Sequence, residues 1–337
     1  MSEKDNILGQ FADIKPEILE MLKATEIDMS IPIPEPEHLI SKDGKPVCTR
    51  GNFSIIVGLA GSRKSFLCTA IAGAFLNNEY MGLSSNGCNE KLIWIDTEQA
   101  EGHVQRIGRR LNKICKIPSN AKNDRLIMYH WRDRTPEDRK QGFEAVFKLY
   151  QPSFIVLDGV SDLITDPNNV EQSTEIINEL MNKTSLYNCH ILTVIHANVG
   201  SEKARGHLGS EALRKCETAI LVTAKDSITK CSFQKTRDIR PEDFSFSVMN
   251  NLPILASYEE VKVDKVFVDL MKVMPKYPNT ISSTDLKKKL IKECNIQERT
   301  AKDRISKGAE MEYIKKNDSG LYHLLPPCED NQIELFM

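Results

Sequence analysis

The sequence predicts an α/β protein: a mostly parallel β-sheet with helices on both faces, followed by a small C-terminal unit in the order of a winged helix-turn-helix. Three observations carry that prediction. Short, continuous apolar runs recur between residues 53 and 223 and alternate with stretches of helical period, the pattern of strands buried on both faces. One run, Phe53 to Val57, breaks into a small-residue loop and then Lys64-Ser65, the layout of a phosphate-binding loop. Near Leu252 to Tyr258 the composition changes, and three helical stretches and a hairpin pattern follow.

Residues 1–50 read as an arm. Pro16 to Ala24 has the spacing of one short amphipathic helix, IPIPEPEHL is extended, and SKDGKP is a turn. Too little is apolar for a separate core. The arm is a strap on its own domain or one that docks on a neighbouring subunit.

From residue 51 the alternation begins. After the strand come Gly58, Leu59, Ala60, Gly61, Ser62, Arg63, Lys64, Ser65 and Phe66, then a helix through Leu67, Ile71 and Phe75. Backbone N–H groups of such a loop and the positive end of its helix surround phosphates. Lys64 adds a point charge, and the Ser65 hydroxyl is a Mg²⁺ ligand. Arg63 stands where the pattern has its second glycine, so an ordinary strand–loop–helix connection is the competing reading. A residue with a Cβ must there take up backbone geometry that glycine supplies. The Arg63 guanidinium offers an additional phosphate ligand, and turnover is expected to be slow.

Further strands read at Lys91–Asp96, Leu126–Tyr129, Phe154–Asp158, Cys189–His196 and Thr218–Thr223, with a ribbon at Thr229–Lys235 and Phe244–Met249. Helices read at His103–Cys115, Glu137–Tyr150 and Val170–Leu186. Ligands of such sheets lie at the carboxyl ends of the strands, where Lys64, Glu98, Asp158 and His196 all fall. Asp158 is either a carboxylate that orders Mg²⁺ or a turn-forming aspartate. Glu98 either polarises a water for in-line attack or complements a helix dipole. His196 is either a γ-phosphate sensor or a surface imidazole.

Composition narrows the classes. With 337 residues and a net charge of −2, the chain is no polybasic nucleic-acid binder as a whole. Its nine cysteines are scattered without zinc spacing, which reads as reduced cytoplasmic thiols. No apolar run approaches the roughly 18 residues of a membrane span, so no membrane partner is expected.

Gly58-Leu-Ala-Gly-Ser-Arg-Lys-Ser65, Trp94-Ile-Asp-Thr-Glu98, Ile155-Val-Leu-Asp158-Gly159 and Val194-Ile-His196 together resemble the RecA-like ATPases. More narrowly, the chain is similar to the RepA-type and DnaB-type hexameric replicative helicases of plasmids and mobile elements. The pieces Asp158 to Leu163, Asp166 to Asn169 and Arg205 to Glu211 fall in order at that group's spacings, and the resemblance spans roughly residues 50–255. It implies an ATP- and Mg²⁺-dependent homo-oligomeric ring around single-stranded DNA. It makes Glu98 the catalytic glutamate, Ser65 and Asp158 the Mg²⁺ positions, and His196 the sensor. It also implies that Lys235 and Arg237 reach into the neighbouring subunit's nucleotide site, with Arg214 as a second such arginine. The bland reading of Lys235, Arg237 and Arg240 is a solvated basic edge. In a ring, the loop Asn198–Ser210, with Lys203, Arg205 and His207, would face the pore and track phosphates.

At the C-terminus, helices read at Val261–Val273, Ser283–Lys292 and Gln297–Met311, and a hairpin at Tyr313–Leu325 around Asp318-Ser319-Gly320. Arg299, Lys302 and Arg304 on the third helix are candidates for contact with duplex DNA. Docking of a protein is the alternative use of such a module. The expected division is thus an arm (1–50), an ATPase domain (51–256), a winged helix (257–326) and a loose tail (327–337). Two functions compete: a ring-forming DNA motor, and a nucleotide-switched regulator or loader that binds duplex DNA and hydrolyses little. A metabolic P-loop kinase is a weaker third.

Overall fold

The computed structural model describes residues 14–86, 89–198, 201, 203–256, 265–275, 279–311 and 313–325. The chain forms two compact units, Met1–Tyr258 and Glu259–Met337. The first thirteen residues and the tail expected to be loose lie outside the described residues.

The first unit opens with helix α1 (Pro16–Thr25), which buries none of its side chains. A hairpin follows, β1 (His38–Lys42) and β2 (Lys45–Thr49). Asp43 and Gly44 at its tip both have positive φ, as a two-residue turn that matches strand twist requires. Strand β3 (Asn52–Gly58) runs into α2 (Lys64–Asn77), and the short strands β4 (Glu79–Tyr80) and β5 (Leu83–Ser84) come next. The alternation then proceeds through β6 (Leu92–Asp96), α3 (Glu101–Ile114), β7 (Leu126–His130), α4 (Pro136–Tyr150) and β8 (Phe154–Asp158). It continues with α5 (Val170–Tyr187), β9 (His190–His196), α6 (Gly206–Lys215) and β10 (Ala219–Lys225). Strands β11 (Ile228–Lys235), β12 (Phe244–Met249) and β13 (Leu252–Ala256) close the unit.

The sheet runs β13-β12-β11-β10-β3-β9-β8-β6-β7. From β10 to β7 every pairing is parallel, and β10 to β13 pair antiparallel. Successive strand residues feed opposite faces. Ile56, Trp94, Val156 and Val194 join the core beneath α2 and α3, while Ile55, Ile95, Leu157 and Ile195 join that beneath α4, α5 and α6. Local sequence sets the helix starts. Thr135 and Asp138 form a reciprocal capping box at α4, with Pro136 in its first turn.

Helix α2 is buried on every side, from Leu67 to Leu76, as expected of an apolar helix enclosed between layers. The central sheet covers one side. The other is covered by a second sheet, in the order β2-β1-β5-β4, and Leu39, Ile40, Val47 and Cys48 enter the same core. This corrects the expected arm: residues 38–49 are part of the domain, and only 14–37 remain as an exposed strap. A second correction concerns the loop Asn198–Ser210, because α6 starts at Gly206 and His207 stands on that helix. Among the described residues no helix is long and apolar enough to cross a membrane.

The second unit holds α7 (Lys265–Val273), α8 (Ser283–Cys294), α9 (Glu298–Glu310) and the hairpin β14 (Ile314–Lys316) and β15 (Tyr322–Leu324). The residues expected to begin its first helix, 261–264, lie outside the described set. Ile281 bridges to Tyr322 between α7 and α8. Leu270, Leu286, Leu290, Ala301, Ile305 and Ile314 form the core.

Candidate functional site

The carboxyl edge of the parallel strands gathers the expected residues. Gly58 ends β3 where nothing larger fits: a Cβ there would lie 2.5 Å from Ser62 Oγ and 2.6 Å from the Val222 carbonyl. The chain then turns through Gly61 and Arg63, both with positive φ, into the free N–H groups of α2. Lys64 Nζ folds back over the loop and donates to the carbonyls of Gly58 (3.0 Å) and Leu59 (2.8 Å). Burial pulls its pKa below the usual lysine value, against the nearby charges of Asp158 and Glu98.

Ser65 Oγ donates to Asp158 Oδ2 at 2.8 Å, so the hydroxyl and the carboxylate expected to share a cation are in contact. Asp158 is buried, and burial together with the neighbouring Asp96 raises its pKa to about 7. Asp96 is its register partner across β6 and β8, and burial also raises this second carboxylate. Two stacked buried carboxylates favour a divalent cation. Among the described residues no three His, Cys, Asp or Glu side chains form a cage for a metal. A cation here would therefore be held by Ser65 and Asp158 with phosphate and water oxygens, the mode of Mg²⁺.

Glu98 lies two residues beyond β6. His196 Nε2 and Glu98 Oε1 are 3.0 Å apart, and His196 is in register with Gly58. The hydrogen bond from His196 is the main reason that Glu98 titrates below the ordinary glutamate value, with Lys64 adding to it. Lys64, Ser65, Glu98, Asp158 and His196 thus share one edge.

Several groups there carry no sequence motif. Asp96 Oδ1 accepts from the N–H groups of Glu98 (3.1 Å) and Gln99 (2.7 Å) and fixes the turn that carries Glu98. Thr97 Oγ1 bonds the Asp158 carbonyl and the Asp162 carboxylate. Beside it Gly159 has φ +113, and a Cβ would fall 2.1 Å from that hydroxyl. The Arg139 guanidinium donates to the carbonyls of Thr97, Trp131, Arg132 and Asp162. The doubled acid in Trp94-Ile-Asp-Thr-Glu98 was the one available signal for Asp96. Thr97 and Arg139 act through backbone carbonyls, which no motif marks.

Arg63 corrects an expectation. Its guanidinium turns away from the loop and donates to the Asp226 carbonyl (2.6 Å), Thr229 Oγ1 (2.9 Å) and the Ile228 carbonyl (3.4 Å). It ties the loop to the β10–β11 turn, so in this structure it is not presented to the loop as the expected additional phosphate ligand.

The remaining candidates lie elsewhere. Lys235 Nζ donates to the carbonyls of Leu213 (2.9 Å) and Arg214 (2.7 Å), and Arg237 to that of Lys215 (2.8 Å), so both cap the C-terminus of α6. Arg237 also reaches Asn52 Oδ1 (3.4 Å) at the start of β3, the end opposite Gly58. Arg214 Nη2 donates to both carboxylate oxygens of Glu211 (2.8 and 2.7 Å). Lys203, Arg205 and His207 are exposed, and the Arg205 N–H bonds the His196 carbonyl, so this segment continues directly from the histidine. In the second unit Arg299 is exposed and Lys302 pairs with Glu298. Arg304 pairs with Asp269 at 2.9 Å, both largely buried. It braces α7 against α9 and is withdrawn from the groove-facing candidates.

A family model described as AAA domain matches residues 15–202. The chain belongs to the AAA-domain family. No curated protein matches it. The matched span holds the loop, Glu98, Asp158 and His196. The AAA domain is thus a P-loop ATPase-type nucleotide-binding unit on a mainly parallel sheet, and the competing reading of Phe53–Leu76 as an ordinary connection falls away.

Proposed function

We propose that this AAA domain binds ATP with Mg²⁺ and hydrolyses it as a homo-oligomeric, ring-forming motor on single-stranded DNA. Its role would be that of a cytoplasmic replicative helicase of a plasmid or mobile element. The observation that carries the hydrolytic part is the shared edge: Ser65 on Asp158, and Glu98 held by His196 beside Lys64. Bound Mg²⁺ supplies charge neutralisation of the phosphate oxygens. Lys64 exchanges its two loop carbonyls for β- and γ-phosphate oxygens. Glu98, kept ionised by its partner, accepts a proton from the attacking water. The new P–O bond forms as the γ-phosphorus–bridging-oxygen bond breaks, and its electron pair leaves with ADP. His196 bridges Glu98 and the end of β3 and can report the γ-phosphate to the segment that follows it, with Lys203, Arg205 and His207.

The resemblance to ring helicases supports a role for Lys235, Arg237 or Arg214 at the next subunit's nucleotide. For that reach Lys235 and Arg237 would release the α6 carbonyls that they cap. A second reading, a nucleotide-switched regulator on duplex DNA, is favoured by the second unit. Its helices, bridge and hairpin follow winged-helix order, with Arg299 and Lys302 exposed on α9.

The test is ATPase rate and fork unwinding, with and without single-stranded DNA. The motor requires stimulation by DNA, loss of both activities in Glu98→Gln, and partial recovery when Lys64→Ala and Arg237→Ala proteins are mixed. Sequence-selective duplex binding that survives Glu98→Gln, without DNA-stimulated turnover, selects the regulator.

A further inference from the structure

The strap at residues 14–37 is apolar where it meets solvent. Ile18, Met21 and Leu22 on α1, and Ile27, Met29, Ile31 and Ile33 beyond it, are each at least 44% exposed. Large apolar side chains so concentrated mark a surface that another molecule covers. In the second half of the strap, Pro32, Pro34 and Pro36 alternate with Ile31, Ile33 and Glu35. A residue before proline is held in extended geometry, and successive N–H groups of an extended chain point to opposite sides. The three prolines lack theirs, so this stretch can pair fully along one side only, that of Ile33 and Glu35. A strand of this kind adds to a sheet edge and then closes it. The Ile31 N–H is taken by the Asp28 carbonyl (3.1 Å), but the backbone groups of Ile33 and Glu35 have no partner among the described residues.

The central sheet offers a matching edge. Strand β7 pairs with β6 alone, and the Arg125 carbonyl and the Trp131 N–H face β6. Alternate residues of a ladder strand face the same neighbour, so the Leu126 carbonyl, both Met128 groups and the His130 N–H point off the sheet. The other edge, β13, contains Pro253, whose carbonyl is taken by the Tyr80 hydroxyl (2.7 Å). Charge also pairs the strap with the β7 edge. Residues 14–37 hold six acids against Lys15 and Lys23. Along α3 and the loop after it, which border β7, Arg106, Arg109, Lys113, Lys116 and Lys122 are exposed. Glu101 and Asp124 are the acids of that stretch.

We propose that the strap of one copy of this chain adds as a strand to the β7 edge of a second copy. Ile33 would pair antiparallel with Met128, which sets both side chains on the α3 face, and the acids of the strap would meet the basic residues of α3. The occupant is a second copy because within its own chain the strap leaves these side chains in solvent. The contact rests on the homo-oligomeric reading above and gives that assembly a donor segment and a receiving edge. His130 is in register with Asp96, so an added strand would brace the edge beside the turn of Glu98.

The experiment measures the mass of the full chain by sedimentation over a concentration series, with and without ATP and Mg²⁺. Ile33→Pro removes one N–H and keeps an apolar residue. Glu26→Lys with Asp28→Lys reverses the strap, and Arg109→Glu with Lys122→Glu reverses the receiving face. Each of the three proteins is expected to associate about tenfold more weakly or worse, and the two reversals combined in one chain should recover part of the loss. A short thiol-reactive cross-linker is then applied to a mixture of Ile33→Cys and Gln105→Cys chains. A link between them, absent from the parent chain, forms only across copies. A link in the doubly substituted chain that fails to form in the mixture shows the strap on its own edge and overturns the proposal. A parent oligomer whose association is unchanged in all three variants overturns this contact and leaves the homo-oligomeric reading standing. A parent chain that stays monomeric under every condition overturns both. The thermal midpoint of each variant confirms that it is folded.

Discussion

The two ends of the parallel sheet are built on opposite electrostatic plans. At the amino end, opposite charges and hydrogen-bond partners are matched. Arg50 is held by Glu37 and Glu90 at 2.6 Å each, and buried Glu217 accepts from Thr49 N (3.0 Å) and Oγ1 (2.6 Å). His190 bonds the Thr49 carbonyl (2.7 Å), and Lys235 and Arg237 sit on helix carbonyls. At the carboxyl end, Asp96 and Asp158 are stacked and both raised by burial, Asp158 to about 7, while burial pushes Lys64 down. Matched charge holds a fold together, whereas like charge held in place is the mark of a site that a counter-ion completes. The strand ends thus divide the work of stability and chemistry, and substitutions at each end should separate the two.

The sharpest break comes at the carboxyl end. Lys64→Ala and Glu98→Gln are each expected to lower ATP turnover by on the order of 10²–10³-fold. Their unfolding midpoints should stay within about 1 kcal/mol of the parent, since Glu98 is partly exposed and Lys64 Nζ bonds only loop carbonyls. Steady-state hydrolysis and denaturant titration measured on the same samples decide this. Loss of stability equal to the loss of rate would erase the division.

Next in size is a pH effect from Asp158. Its folded-state pKa, about 7, lies above the ordinary 3.8. The group's contribution to stability is therefore full below about pH 4 and is lost as the pH rises to about 7. Without Mg²⁺ the unfolding free energy should fall over that window by on the order of 3–4 kcal/mol. Asp158→Asn should flatten the slope, and nucleotide with Mg²⁺ should restore stability most at the alkaline end. A slope that persists unchanged in Asp158→Asn would assign it to another group.

Glu217→Ala tests the amino end. It strands the Thr49 N–H and hydroxyl in a buried setting and should cost about 2–3 kcal/mol of stability. Turnover per folded molecule should stay unchanged. A fall in turnover at saturating nucleotide, with the fold intact, would show that the two ends are not separable.

How much of this division the sequence disclosed depends on how each residue acts. Lys64, Ser65, Asp158, Glu98 and His196 stand at the ends of apolar runs, so strand patterning alone brings them to one edge. Asp96 ends the run LIWID and could be read as a strand terminus, because its partnership with Asp158 exists only in the register of β6 and β8. The same limit hid β1 and β2, five residues each, with Pro46 inside β2 and Gly44 in the turn between them. Their apolar side chains match a helix face, not a period of their own. Helix α6 begins at glycine with little apolar repeat, so GHLGSEALRK reads as loop until the packing of Leu208 and Ala212 is seen.

Arg63 is the smallest test and lies between the two plans, a charged residue at the chemical end that makes only structural contacts. With φ 67 and ψ 29 it occupies the left-handed region, at a cost of about 1 kcal/mol or slightly more for a residue with a Cβ. Its three bonds to the Asp226–Thr229 turn offset that cost. Arg63→Gly removes the strain together with the bonds, so its stability should stay within about 0.5–1 kcal/mol of the parent. Arg63→Ala removes the bonds and keeps the strain, so it should be the less stable variant by about 1 kcal/mol. A tie of this kind leaves nucleotide affinity within about fivefold in both variants. A phosphate ligand would instead lose affinity about tenfold or more when its charge is removed, whichever small residue replaces it. Denaturant midpoints and ADP titrations on the pair therefore read two different quantities. If affinity falls equally in both while the glycine variant gains no stability over alanine, Arg63 belongs to the chemistry of the loop and not to its scaffold.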